Sequence, residues 1–240
     1  MRKKLPPPYS LKAFTLSEVL ITLVIIGVIA AITVPMILQS TQEKELYSKF
    51  KKNYSLLQNS LERAQIEEGT LGDNTAIFTP LPDADRSYLS AQRFANYVNP
   101  IKVCRNKNQS GCSDVYYDVS YSDSNYKHGA KDSINTPKVV LADGSIWHII
   151  QNDSCEWTAM GCATDRYGEC IKDENGQIAT PIPNPRYDCA EIGVDVNGAQ
   201  GPNKYGKDVF QFYIRKDKVR LINWAPRGGN ISKKILTNEI

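Results

Sequence analysis

VLITLVIIGVIAAITVPMIL, residues Val19 to Leu38, decides the architecture of this chain. No charged residue occurs from Val19 to Gln42, and about 20 apolar residues are enough to cross a hydrocarbon core as a helix. The stretch reads as a membrane segment. Arg2, Lys3, Lys4 and Lys12 precede it with no acidic residue among them, and Glu43 and Lys44 follow. The positive-inside bias therefore places the N-terminus in the cytoplasm and the remainder of the chain across the membrane. A cleaved secretory signal is a poor reading, because its apolar run is only about 7 to 15 residues. A plain signal anchor accounts for the length and the flanking charges but not for Glu18. An acidic side chain at the head of a membrane helix needs a partner or a route to the headgroups.

Past Pro35 the apolar residues change spacing. Leu46, Phe50, Tyr54, Leu57, Leu61 and Ala64 recur at helical intervals, which makes one apolar stripe on an amphipathic helix. The helix is expected to continue to Glu68-Gly69, where glycine accepts a left-handed cap. Counted from Phe14 it would be about 80 Å long, too long for most compact domains. Pro35 removes a backbone donor and is expected to kink the rod or let it melt locally.

The nonapeptide Lys12-Ala13-Phe14-Thr15-Leu16-Ser17-Glu18-Val19-Leu20 closely resembles the processing site of type IV prepilins and type II secretion pseudopilins. The resemblance covers roughly residues 12–45. It implies a cut between Ala13 and Phe14 by prepilin peptidase, with methylation of the new N-terminus. Family members usually carry glycine before the cut, where this chain has Ala13, a residue still small enough for cleavage. Glu18 then becomes the fifth mature residue and Pro35 the twenty-second, a position where many family members also have proline. The resemblance further implies that Glu18 neutralises the Phe14 amine of a neighbouring subunit inside the bilayer, where an unpaired charge is costly. Phe14, Glu18 and Pro35 are thus the expected assembly residues. Snorkelling of Glu18 to the headgroups is the plainer reading. The chain divides into a cytoplasmic leader (1–13), the membrane half of the helix (14–38), its soluble half (39–69) and a globular domain (70–240).

That domain is expected to be α+β. A second helix over Arg86 to Val98 is stopped by Pro100. Lys138 to Leu141 and Ser145 to Ile150 flank Asp143-Gly144, the mark of a hairpin with a two-residue turn. Val209 to Arg215 and Val219 to Asn223 form a second hairpin, and Glu191 to Val196 a further strand. An antiparallel sheet covering the helix stripe follows from this order. Residues 155–185, rich in Asp, Gly, Asn and Pro, read as a long irregular loop held by cysteines. All six cysteines lie in the second half, and no pair has the spacing of a zinc or thioredoxin-like site. Disulfides in an oxidising compartment are the favoured reading over buried free thiols. Cys104 and Cys112, closing a short polar loop, are the first pair expected.

The composition, 41% hydrophobic with a net charge of +3, carries no nucleic-acid footprint, and nucleic acid is not an expected partner. No catalytic motif occurs: neither G-x-S-x-G, nor H-E-x-x-H, nor a phosphate loop. His128 and His148 read as ordinary loop and strand residues. Asp153, Glu156 and Asp165 read as solvated, and the tryptophans Trp147, Trp157 and Trp224 as core. Arg215, Lys216, Lys218, Arg220, Trp224 and Arg227 form the only basic segment with an aromatic, and a solvated hairpin explains it. The expected function is that of a structural, minor subunit of a type II secretion pseudopilus or type IV pilus, minor because its domain is large and loop-rich. A binding module displayed on such a filament, for DNA uptake or adhesion, is the alternative. A membrane-anchored extracytoplasmic enzyme stands further off. The bacterial cytoplasmic membrane, then the filament, is the expected location. One cofactor is considered. Asp195, Asn197, Asn203 and Asp208 surround a glycine-rich loop that resembles the calcium loop of major pseudopilins in placement and composition. Lys204 and Lys207 count against a cation, and turns capped by their own Asp and Asn side chains are the competing reading.

Overall fold

The computed structural model describes residues 15–78, 85–123, 131–152, 154–163, 170–178, 181–222 and 225–237. The chain forms two compact units that divide between Lys44 and Glu45. One helix, α1 (Leu16–Glu67), supplies residues to both. In the first unit its side chains are almost all exposed, and an 18-residue window has a mean hydropathy of 2.7, so the helix is long and apolar enough to cross a membrane. Helical geometry runs unbroken through Pro35.

In the second unit the stripe on α1 is buried: Phe50, Leu57 and Ala64 are fully inaccessible and Leu61 nearly so. Each large side chain of this kind contributes about 1.5–3 kcal/mol by leaving water. The helix ends in a paired cap. The Gly69 N–H donates to the Ile66 carbonyl at 3.2 Å and the Thr70 N–H to the Gln65 carbonyl at 2.8 Å, with Gly69 at φ +69°, a Schellman closure.

A short helix α2 (Thr75–Phe78) precedes α3 (Arg86–Val98), which ends at Asn99 in the left-handed conformation just before Pro100. The strands that follow are β1 (Pro100–Cys104), β2 (Asp118–Ser120), β3 (Lys131–Ser133), β4 (Lys138–Leu141) and β5 (Ile146–Gln151). After them come β6 (Trp157–Cys162), β7 (Pro181–Arg186), β8 (Asp188–Asp195), β9 (Val209–Arg215), β10 (Val219–Leu221) and a last helix, α4 (Gly229–Leu236). Six strands make one antiparallel sheet in the order β1-β4-β5-β8-β9-β10. The chain is therefore α+β, a long apolar helix followed by a domain built on an antiparallel sheet.

Alternation along the strands sorts the two faces. Val139, Trp147, Ile149, Ile192, Val194, Phe210 and Phe212 join the core with α1. Phe50 stacks on Phe210 at 3.8 Å, and the buried Asn53 accepts a hydrogen bond from Trp147 Nε1 at 2.8 Å. The opposite face carries Lys138, His148, Glu191, Gly193, Asp195 and Gln211. All except Glu191 are buried.

Two expectations are corrected. The β4–β5 connection is a three-residue loop: the Leu141 N–H donates to the Ser145 carbonyl at 2.9 Å, and Gly144 sits at φ +85°. Asp143 Oδ1 accepts from the Ser145 hydroxyl at 2.6 Å, holding the longer turn, and a left-handed third residue is what such loops require. Residues 155–185 are not simply an irregular loop, because β6 and β7 pair over six residues in register from Trp157 with Arg186 to Cys162 with Pro181. Cys155–Cys189 and Cys162–Cys170 bridge the ends of this ribbon, Cys104–Cys112 closes the loop after β1, and no cysteine is free.

Candidate functional site

Ala13 and Phe14 lie outside the described residues. Thr15 and Glu18 open α1 as a reciprocal cap. The Glu18 N–H donates to Thr15 Oγ1 at 3.2 Å, while Glu18 Oε2 accepts from the Thr15 N–H at 2.9 Å and from the Thr15 hydroxyl at 2.7 Å. This capping box satisfies backbone donors that a helix start leaves bare, a serious matter where no water is present. The hydroxyls of Thr22, Thr33 and Thr41 donate to carbonyls one turn back, so the apolar stretch presents no unbonded threonine hydroxyl.

The loop from Asp195 to Asp208 folds back on itself. Asp208, fully buried, accepts the Asn203 N–H at 2.8 Å and the Lys204 N–H at 2.7 Å. Asp195 accepts the Asn197 N–H at 3.2 Å and the Tyr117 hydroxyl at 2.7 Å. Asn197 Nδ2 donates to the Gly201 carbonyl at 2.8 Å. Both carboxylates are thus engaged in capping turns, and no cluster of three His, Cys, Asp or Glu stands ready for a metal among the described residues. Asn197 Oδ1 and Asn203 Oδ1 are buried without a hydrogen-bond partner, two side-chain oxygens of the kind that calcium takes. Burial pushes the Asp195 carboxyl up to about 7, with the nearby Asp208 charge adding to the shift and the Tyr117 hydroxyl opposing it.

The outer sheet face holds a polar row that the sequence reading missed. Register places Lys138 beside His148, His148 beside Gly193, and Gly193 beside Gln211. The His148 ring lies over Gly193 so closely that an added Cβ there would stand 1.7 Å from its Cε1. Arg227 fixes the rest. Its Nη1 donates to Glu191 Oε1 at 2.6 Å and to Gln211 Oε1 at 2.9 Å, and its Nη2 to Asp132 Oδ2 at 3.1 Å. Since Gln211 Oε1 must face the guanidinium, its Nε2 faces His148 Nε2 at 3.2 Å as a donor. His148 Nε2 therefore accepts, and the ring proton sits on Nδ1. Burial holds the imidazole well below its ordinary value, helped by the charges of Lys138 and Arg227, so it is neutral near pH 7. Burial likewise brings Lys138 down to about 8, against the pull of Asp195 and Asp132; its Nζ lies 5.5 Å from the centre of the Tyr116 ring.

The basic segment forms the β9–β10 hairpin with Lys216, Lys218 and Arg220 exposed, while its other cations are paired within the fold. Arg215 pairs with Asp188 at 3.1 Å, Lys216 with Asp73 at 3.6 Å, and Arg227 is held by the row just described. Trp147 is core; His128, Asp153, Asp165, Trp224 and the Trp157 side chain lie outside the described residues. Local alternation gave no warning of the polar row, because a lone His, Lys or Gln on the second face of a strand reads as solvated unless another layer covers it. Compared with family models, with curated proteins and with solved structures, the chain finds no match.

Proposed function

We propose that the chain is a pilin-like structural subunit, cut between Ala13 and Phe14 by prepilin peptidase, methylated there and packed through α1 into a type II secretion pseudopilus or type IV pilus. The observation that carries this reading is α1 itself. Its N-terminal part is apolar and exposed, its one acidic residue Glu18 stands at the head of that stretch, and its C-terminal part is the spine of a disulfide-bonded domain. An anchor alone needs neither the continuity nor the carboxylate. The domain, with three loop-closing disulfides and two accessory ribbons, suits a minor subunit.

Mass spectrometry of protein extracted from its native membrane tests the proposal. The expected N-terminus is a methylated Phe14, and an intact Met1 start in cells with active prepilin peptidase overturns it.

A further inference from the structure

Two small clefts flank residues 133–135. One, of about 130 Å³, is lined by Asp132, Thr136, His148, Gln211 and Arg227 together with Ile134 and Ile150. The other, of about 170 Å³, is lined by Tyr116, Tyr117, Asp118 and Lys107. Ser133, Ile134 and Asn135 line both.

The first cleft has unused hydrogen-bonding capacity. His148 is 3% exposed, and its Nδ1–H has no acceptor among the described residues. Thr136 Oγ1 is buried and also lacks a partner. A buried hydroxyl without a partner costs about 1–3 kcal/mol, so Thr136 calls for a ligand or water, and the His148 ring edge lines the same cleft. The surroundings narrow the ligand. The lining of the first cleft carries one charge of each sign, Arg227 and Asp132, paired at 3.1 Å, and that of the second carries Lys107 and Asp118, so neither an anion nor a cation is preferred. Hydroxyl groups, which donate and accept at one atom, match His148 and Thr136 as donors and Asp132 as acceptor better than a peptide amide, whose donor and acceptor are separate atoms. Ile134 and Ile150 offer an apolar wall for C–H groups. In the second cleft the Tyr116 and Tyr117 hydroxyls are engaged elsewhere, with the Cys104 carbonyl at 3.3 Å and Asp195 at 2.7 Å. What remains for a ligand there is ring surface beside Asp118 and Asn135.

We propose that the clefts on either side of residues 133–135 bind a neutral glycan, one sugar ring in each. Both volumes lie well below the roughly 300 Å³ at which drug-sized pockets begin, which suits single rings joined across the ridge between them. This site is independent of the assembly reading.

The test uses full-length protein in a detergent without sugar headgroups. Saturation-transfer NMR is run with methyl glycosides of glucose, galactose, mannose and N-acetylglucosamine, and with N-acetylneuraminic acid, glucosamine and N-acetylglutamine methylamide. At least one neutral glycoside should receive saturation. Thr136→Val, which keeps the shape of the side chain, and Asn135→Ala, at an exposed position, should each weaken that binding about tenfold. The idea is overturned by silence from every neutral glycoside, by a charged or amide probe binding in their place, or by binding that both variants leave unchanged.

Discussion

Asp195 sits where β8 meets the loop, 5% exposed, with Tyr117 donating to one of its oxygens. Burial lifts its pKa from an ordinary carboxylate value to about 7, so the folded protein holds a proton that the unfolded chain releases near pH 4. The contribution of this group to stability is therefore fully present below the unfolded value, and is lost as pH rises through about 7. Asp195→Asn keeps an acceptor for Tyr117 but cannot ionise. Urea denaturation between pH 4 and 8 should show the wild type losing stability relative to the variant as pH rises, with the gap opening above pH 4 and levelling off beyond about 7. A constant gap across that range would mean that Asp195 is not the group responsible. Nothing in the local sequence Val194-Asp195-Val196 announces this behaviour, because it depends on Tyr117, which is 78 residues away in the chain.

At the scale of elements, α1, α3 and the two hairpins were legible because each carries its own periodicity and punctuation. Leu46 to Ala64 repeats at helical spacing, and Asn99-Pro100 stops α3 where a left-handed residue precedes a proline. The β6–β7 ribbon was not legible, for a physical reason. Pro181, Pro183 and Pro185 read as a loop, yet they alternate, and all three would donate toward the same side of a strand. Because proline cannot donate, the pairs that exchange both bonds are Gly161 with Ile182, Ala159 with Asn184, and Trp157 with Arg186. The prolines then sit on the outer edge, where they block further strand addition. The α1 stripe shares one core with the inner face of the sheet, and Leu57 within that stripe is fully buried. Leu57→Ala should lower the stability of the second unit by about 2–5 kcal/mol in denaturant melts. The helicity of residues 16–44 should be unaffected, because their side chains are almost all exposed. A loss below about 1 kcal/mol would show that this contact is not where the helix is held.

For the whole molecule, the proposed assembly rests on what Glu18 does in two settings. In the single chain its Oε2 closes the capping box with Thr15, while Oε1 has no partner among the described residues. A neighbouring subunit's amine can then be accepted at Oε1 without dismantling the cap, so the solitary and the assembled states need not compete for the same atom. Two substitutions separate these roles. Glu18→Gln keeps an N3 side chain able to complete the box but carries no charge, whereas Glu18→Ala loses both. Both variants should enter the membrane as well as the wild type, since removing an acidic group from an apolar segment does not oppose insertion. Only the alanine variant should lose helicity at residues 15–18, read by amide hydrogen exchange in detergent. Incorporation into filaments, read by shearing and immunoblot, should fall at least about tenfold in both, because each leaves a neighbouring amine unpaired at low dielectric. Normal filament incorporation by the glutamine variant alone would reduce Glu18 to a helix cap and remove charge pairing from the proposed assembly.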